Sequence, residues 1–179
     1  MDIENVYTRT AGIPHMSRQQ AATMTSLILD HKFKNILELG FRHGVSSCFI
    51  AAALDANGGG HLTTIDRANA ETIEPNIDKL LADLQLQSYV TRFYEPKSYI
   101  WRMMRMLEED PKPRFDMCFI DGAHDWYTDG FAFFLADRLL VPGGLMIFDD
   151  IDWSYAKSPS LREADFVKKM PSDEREARQ

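Results

Sequence analysis

The chain has 179 residues, 45% of them apolar, enough to bury one substantial core in a single domain. Twenty Lys and Arg against 27 Asp and Glu give a formal charge of -7 with no basic cluster along any segment, which argues against a nucleic-acid partner. The opening Met1-Asp2-Ile3-Glu4-Asn5 lacks a leader pattern and no run approaches the about 18 apolar residues of a membrane span, so the expectation is a cytoplasmic protein with no membrane partner.

The first sixteen residues show no periodicity and read as a flexible arm or as a lid over a binding crevice. Ser17-Arg18-Gln19-Gln20 is a capping box opening a helix to about Asp30, with Ala21, Met24, Leu27 and Ile28 on its inner stripe. A first strand, Asn35 to Leu39, runs through Gly40 and Gly44 into a helix that continues through Leu54. Glycine at 40 and 44 permits positive φ and close backbone approach, and the free amides of the helix start, helped by Ser46 or Ser47, suit a carboxylate or phosphate.

Gly58-Gly59-Gly60 turns into a second strand, His61 to Ile65, which ends in Asp66 at the spacing where an acid grips a ribose diol. The ligand is therefore expected to contain ribose. Next come a helix over Ile73 to Leu86, a strand over Tyr89 to Tyr94, and a helix over Ser98 to Glu109 in which Met103, Met104 and Met106 are packing residues. Asp110-Pro111-Lys112-Pro113 breaks the chain before a fourth strand, Met117 to Ile120. A helix over Trp126 to Leu140 presents Phe131, Phe134, Leu135 and Leu139 inward, and Pro142-Gly143-Gly144 leads to a fifth strand, Leu145 to Phe148.

Beyond Asp150 the signal decays through Lys157-Ser158-Pro159-Ser160 to a short helical stretch and a charged, solvated tail, Ser172 to Gln179, expected to be mobile. Five strands alternating with helices imply an α/β fold: a doubly wound, Rossmann-like parallel sheet with helices on both faces. The organisation is an arm and helix over 1–30, a core over 31–155 and a tail over 156–179. Cys48 and Cys118, the two cysteines, sit in apolar segments and read as buried reduced thiols.

The chemistry concentrates at the ends of strands four and five. Asp121 follows the first, with Gly122-Ala123-His124 after it, and Asp149 and Asp150 follow the second. In an open parallel sheet these carboxyl ends line the ligand crevice, so three like charges meet unless a proton or a hard divalent cation intervenes. The alternative for Asp149 and Asp150 is one cap and one solvated charge.

These residues resemble a class I S-adenosylmethionine-dependent methyltransferase, and more narrowly the metal-dependent small-molecule O-methyltransferases, over roughly Ile36 to Ile151. Glu38-Leu39-Gly40 with Gly44 and Ser46 is similar to the first motif of the catechol-type enzymes, in which the glycine turn passes under the methionine part of the cofactor and the serine holds its carboxylate. Asp66 then falls on the ribose-binding acid, and Asp121, Asp149 and Asp150 on the magnesium ligands. Asp121-Gly122-Ala123-His124 more closely resembles the antibiotic-sugar and macrolide-sugar O-methyltransferases, in some of which a histidine three residues after the metal aspartate is proposed as base. Relatives also include proteins linked to cephalosporin hydroxylation and rhamnose methylation.

The resemblance implies S-adenosyl-L-methionine and Mg2+ or another divalent cation as cofactors, and a small sugar, polyol or catechol-like hydroxyl acceptor. Cofactor contacts fall on Glu38, Gly40, Gly44, Ser46, Asp66, Asp121 and Trp126, and catalytic roles on Asp121 and His124. Glu38 is equally a buried scaffold carboxylate, and His124 is either the proton acceptor or a packed helix-start residue. Two features depart from the family: only Glu95 or Ser98 offers an adenine contact after strand three, and strands six and seven have no candidate. Either the chain is truncated or a partner, such as a second copy, covers the sheet edge. A nicotinamide-dependent dehydrogenase fits less well, since Arg42 stands at its second glycine. A non-catalytic S-adenosylmethionine-binding subunit is the remaining alternative.

Overall fold

Short runs rich in Ile, Leu, Val and Phe, each closed by glycine or a charged residue, supply the five strands of the computed structural model, which describes residues 3–14, 16–158 and 161–177. They are β1 (Asn35–Leu39), β2 (His61–Arg67), β3 (Val90–Glu95), β4 (Phe115–Ile120) and β5 (Leu140–Phe148), all parallel in the order β3-β2-β1-β4-β5. The connections are helical: α1 (Ile3–Arg9) and α2 (Arg18–His31) precede β1, followed in turn by α3 (Val45–Ala56), α4 (Ile77–Leu84), α5 (Tyr99–Glu108) and α6 (Asp129–Leu139). Central β1 is buried along Ile36 to Leu39, because helices cover both of its faces.

Two cores result. On one face α2, α3 and α4 pack Ile28, Phe49, Ile50, Leu54, Ile77 and Leu81 against Ile36, Met117 and Phe119. On the other, α5 and α6 pack Met103, Met106, Leu135 and Leu139 against Leu37, Leu39, Ile65 and Ile120. Cys48 and Cys118 are buried free thiols, one in each core, with burial holding both far from ionisation. Met104 departs from its packing assignment and is 40% exposed. Among the described residues, no helix is long and apolar enough to cross a membrane.

Four expectations are corrected. The unpatterned N-terminus is partly helical: α1 buries Val6, sets Tyr7 on Phe49 and ties back to α2 through Arg18 and Glu4, so it packs on the body of the protein. The helix expected from Ile73 begins at Ile77, because Pro75 disfavours helix in the residue before it and the Asn76 side chain caps the Lys79 amide. The helix expected from Trp126 begins at Asp129; it buries Ala132, Leu135, Ala136 and Leu139 but leaves Phe131 and Phe134 47% and 64% exposed. Phe134 packs edge-on against Phe133, whose ring lies 6.2 Å from Phe148 of β5, an edge strand with no neighbour beyond it among the described residues. The tail is partly docked: α7 (Asp165–Lys168) buries Val167, and α8 (Ser172–Glu176) brings Arg175 O to within 3.0 Å of Ala156 N. The last two residues of the expected tail lie outside the described residues.

The capping box at α2 forms as its spacing requires, with Ser17 Oγ accepting from Gln20 N and Gln20 Oε1 accepting from Ser17 N. Ser17→Ala is expected to lower stability by about 1 kcal/mol in urea titration, with an unchanged m-value.

Candidate active site

The strand order reverses between β1 and β4, and the turns that leave these two strands touch. Gly40 has φ +87°, and a Cβ there would lie 2.0 Å from the Asp121 carbonyl oxygen. Asp121 N in turn donates to Leu39 O at 2.9 Å. Gly44, also at φ +87°, caps α3 without a side chain and packs so closely that a Cβ would meet Ile77 Cγ1 at 2.5 Å. The first amides of α3 therefore face the turn without a side-chain cap, a favourable setting for an anionic group.

Two acids brace this turn. Asp66 Oδ2 accepts from Phe41 N at 2.9 Å and Arg42 N at 2.6 Å, and Oδ1 accepts from Arg67 N at 2.6 Å. The residue expected to grip a ribose thus also anchors the glycine loop. Glu38 is fully buried, with Oε2 accepting from Ser47 Oγ at 2.5 Å and Thr64 Oγ1 at 2.6 Å. Desolvation raises its carboxyl above the ordinary range, opposed in part by the hydroxyls of Ser46, Ser47 and Thr64. Among the described residues its Oε1 is buried without a hydrogen-bond partner, an orphaned acceptor beside the glycine turn that a ligand bringing a donor would satisfy.

Across the switch point Asp121, His124, Asp149 and Asp150 line one open cavity of about 390 Å³ together with Met16, Ser17 and Gln20. The convergence expected from strand ends is therefore present. Burial, then the charges of Asp149, Glu38, Asp150 and Asp66, push the Asp121 carboxyl up to about 8. Such an acid-only edge has the donor chemistry of a hard divalent cation, which would relieve this repulsion. Among the described residues, however, no three His, Cys, Asp or Glu side chains are gathered closely enough to hold a metal.

His124 Nε2 stands 4.0 Å from Asp150 Oδ2, and its ring stacks on Trp153 at 5.3 Å between centroids. Both His124 and Asp150 adopt left-handed φ, +55° and +52°, a cost that side-chain anchors must offset. For His124 the anchor is Asp129, which accepts from His124 N at 2.7 Å and Ala123 N at 3.2 Å and is itself bonded by the Tyr99 hydroxyl. A Cβ on Gly122 would collide with Tyr99 and Asp129, which explains the glycine inside this motif.

Three residues expected at the cofactor stand outside this acidic cavity. Trp126 is 75% exposed and outside the cavity lining. Glu95 is buried in an ion pair with Arg102 at 2.7 Å, and Ser98 caps α5, so neither is free for adenine as they stand. Conversely, Gln20 lines this cavity and Tyr99 and Asp129 brace the turn that leads to it, without having been singled out from the sequence. Only Gln20 carried a signal, as part of the capping box.

A parallel sheet with a glycine turn at its switch point and acids at the strand ends defines a Rossmann-like α/β protein. Residues 37–151 match the family described as a methyltransferase domain, and the chain belongs to that family. It is 32% identical over 143 residues to a catechol O-methyltransferase of Niastella koreensis, across 79% of this chain and 61% of that protein. It thus spans about three-fifths of that relative's length. A Staphylococcus aureus structure assigned as a caffeoyl-CoA O-methyltransferase superposes with a TM-score of 0.65 at 27% identity, covering 84% of this chain and 67% of the other. An O-methyltransferase from Bacillus cereus in complex with SAH gives a TM-score of 0.69 at 23% identity over 83% of this chain and 66% of that one, evidence of shared fold.

Two stability measurements follow from this geometry. Gly40→Ala combines backbone strain with a backbone collision and is expected to cost more than about 2 kcal/mol in urea titration, whereas Gly58→Ala, strained at φ +75° in open space, costs about 1. Asp121, with its folded value near 8, keeps a proton that the unfolded chain releases above about pH 4, so the metal-free protein loses stability as pH rises between these values. Asp121→Asn is expected to flatten that part of the stability profile and to be more stable than the parent above pH 8.

Proposed function

We propose that this protein is an S-adenosylmethionine-dependent O-methyltransferase acting on a small-molecule hydroxyl, with a divalent cation assisting. The observation that carries the reading is the abutment of a methyltransferase-family glycine turn against a cavity lined by Asp121, Asp149, Asp150 and His124. The relative named as a catechol O-methyltransferase favours an acceptor with adjacent oxygens, a property that sugars, polyols and catechols share.

Methyl transfer from a sulfonium needs an aligned acceptor oxygen and removal of its proton, because the donor is already activated. Gly40, Gly44 and the open first turn of α3 receive the amino-acid end of the cofactor, with Ser46 at its carboxylate. Asp66 meets the ribose hydroxyls with the oxygen valences left by the loop amides. Asp121, Asp149 and Asp150 are the residues that would hold the cation, which when bound orients paired oxygens and lowers a hydroxyl pKa. His124 Nε2 takes the acceptor proton, and Asp150 stabilises the imidazolium that results. The stacked Trp153 restricts the ring.

Calorimetric titration of S-adenosylhomocysteine, with and without Mg2+, tests the assignment. Asp66→Asn keeps an acceptor for the loop amides, yet is expected to weaken binding by about tenfold or more. Asp149→Ala is expected to bind within about twofold of the parent while abolishing methyl transfer to a catechol. Absence of binding in the parent would remove the cofactor assignment; loss of binding in Asp149→Ala would place that acid in the cofactor site and remove the metal role.

A further inference from the structure

We propose that Gln20 is a positioning residue for Asp149, joining the start of α2 to the acidic edge 129 residues away. The inference rests on the metal-assisted reading of that edge and concerns what holds one of its acids in place. Gln20 Oε1 accepts from Ser17 N at 2.9 Å and from Ser17 Oγ at 2.7 Å, while Nε2 donates to Asp149 Oδ1 and Oδ2 at 3.1 and 3.3 Å.

The Ser17 backbone fixes the amide orientation: its N–H can only donate, so it must meet the Gln20 oxygen, which leaves the Gln20 nitrogen for Asp149. Helix capping accepts Glu as readily as Gln at this position. A Glu here would set a carboxylate against Asp149, so the acidic edge supplies the physical reason for the amide. No other hydrogen bond to the Asp149 side chain is formed among the described residues, and Gln20, Ser17, Asp149 and Asp121 all line the same cavity. Removing the amide frees the Asp149 carboxylate to rotate where α2 reaches the proposed cation site. Partners of this kind, which orient a metal-ligating carboxylate, carry about 10- to 100-fold in metal affinity.

Mn2+ titration by calorimetry on the full chain, paired with an S-adenosylhomocysteine titration, separates this role from capping alone. Gln20→Ala is expected to weaken Mn2+ by about tenfold or more with cofactor affinity within twofold. Ser17→Ala, which loses the cap hydroxyl but leaves the amide at Asp149, is expected to keep both affinities within twofold. Equal Mn2+ losses in the two variants, or unchanged or tighter Mn2+ binding in Gln20→Ala, would overturn the proposal.

Crystal structures of the parent and Gln20→Ala provide a readout that needs no metal. A reoriented or disordered Asp149 supports the role and an unmoved one refutes it, even if the parent binds no Mn2+ and the metal reading itself has failed. Should Gln20→Ala not fold, Gln20→Glu preserves the capping box and takes its place in the crystallographic comparison. Its carboxylate is expected to turn Asp149 away, and an unmoved Asp149 refutes the role.

Discussion

The carboxyl edge of the sheet depends on how closely the turn after β1 approaches the turn after β4. Gly40 lies against the Asp121 carbonyl at a distance that excludes any side chain, and the Asp121 amide returns a hydrogen bond to Leu39. With the backbones in contact, the position of the glycine loop fixes that of the first acid of the cavity. Everything else at this edge is arranged around that contact: Asp66 holds the loop amides, Glu38 lies buried beneath, and Asp129 with Tyr99 sets the chain that leads to His124.

The same arrangement concentrates negative charge in a partly dry place. Glu38, Asp66, Asp149 and Asp150 all act on Asp121, and burial adds to their effect. A protein selected only for stability would not assemble such a cluster, since each buried like charge disfavours the others. The left-handed backbones of His124 and Asp150 point the same way, because strain persists only where surrounding contacts outweigh it. Charge and strain coincide on the residues to which the methyltransferase reading gives chemical roles.

Much of the architecture was legible because its signals are local. All five strands occur where they were expected, although β5 begins at Leu140 and so includes the Pro142-Gly143-Gly144 expected as a turn, and the Ser17 box marked the start of α2 to within one residue. The acids at 121, 149 and 150 could be placed on a shared edge because parallel strands point their carboxyl ends one way. Phe131 and Phe134 were misjudged for a related reason. Their helical spacing matched an inner stripe, but which stripe is covered depends on what lies beside β5, and periodicity carries no record of a neighbour. Trp126, next to the metal motif in sequence, is largely exposed.

By itself the sequence determined the alternation of strands and helices, the two glycines where the backbone must come close, and the acids that follow the strands, since these rest on residue type and spacing along the chain. Only the tertiary structure decided how those acids are employed. Asp66, expected to meet a ribose, braces the glycine loop, Glu95 is consumed by Arg102, and Gln20 reaches Asp149 across 129 residues. A hydrogen bond between distant segments depends on the packing of α2 against the sheet, and no local pattern in the chain encodes that distance.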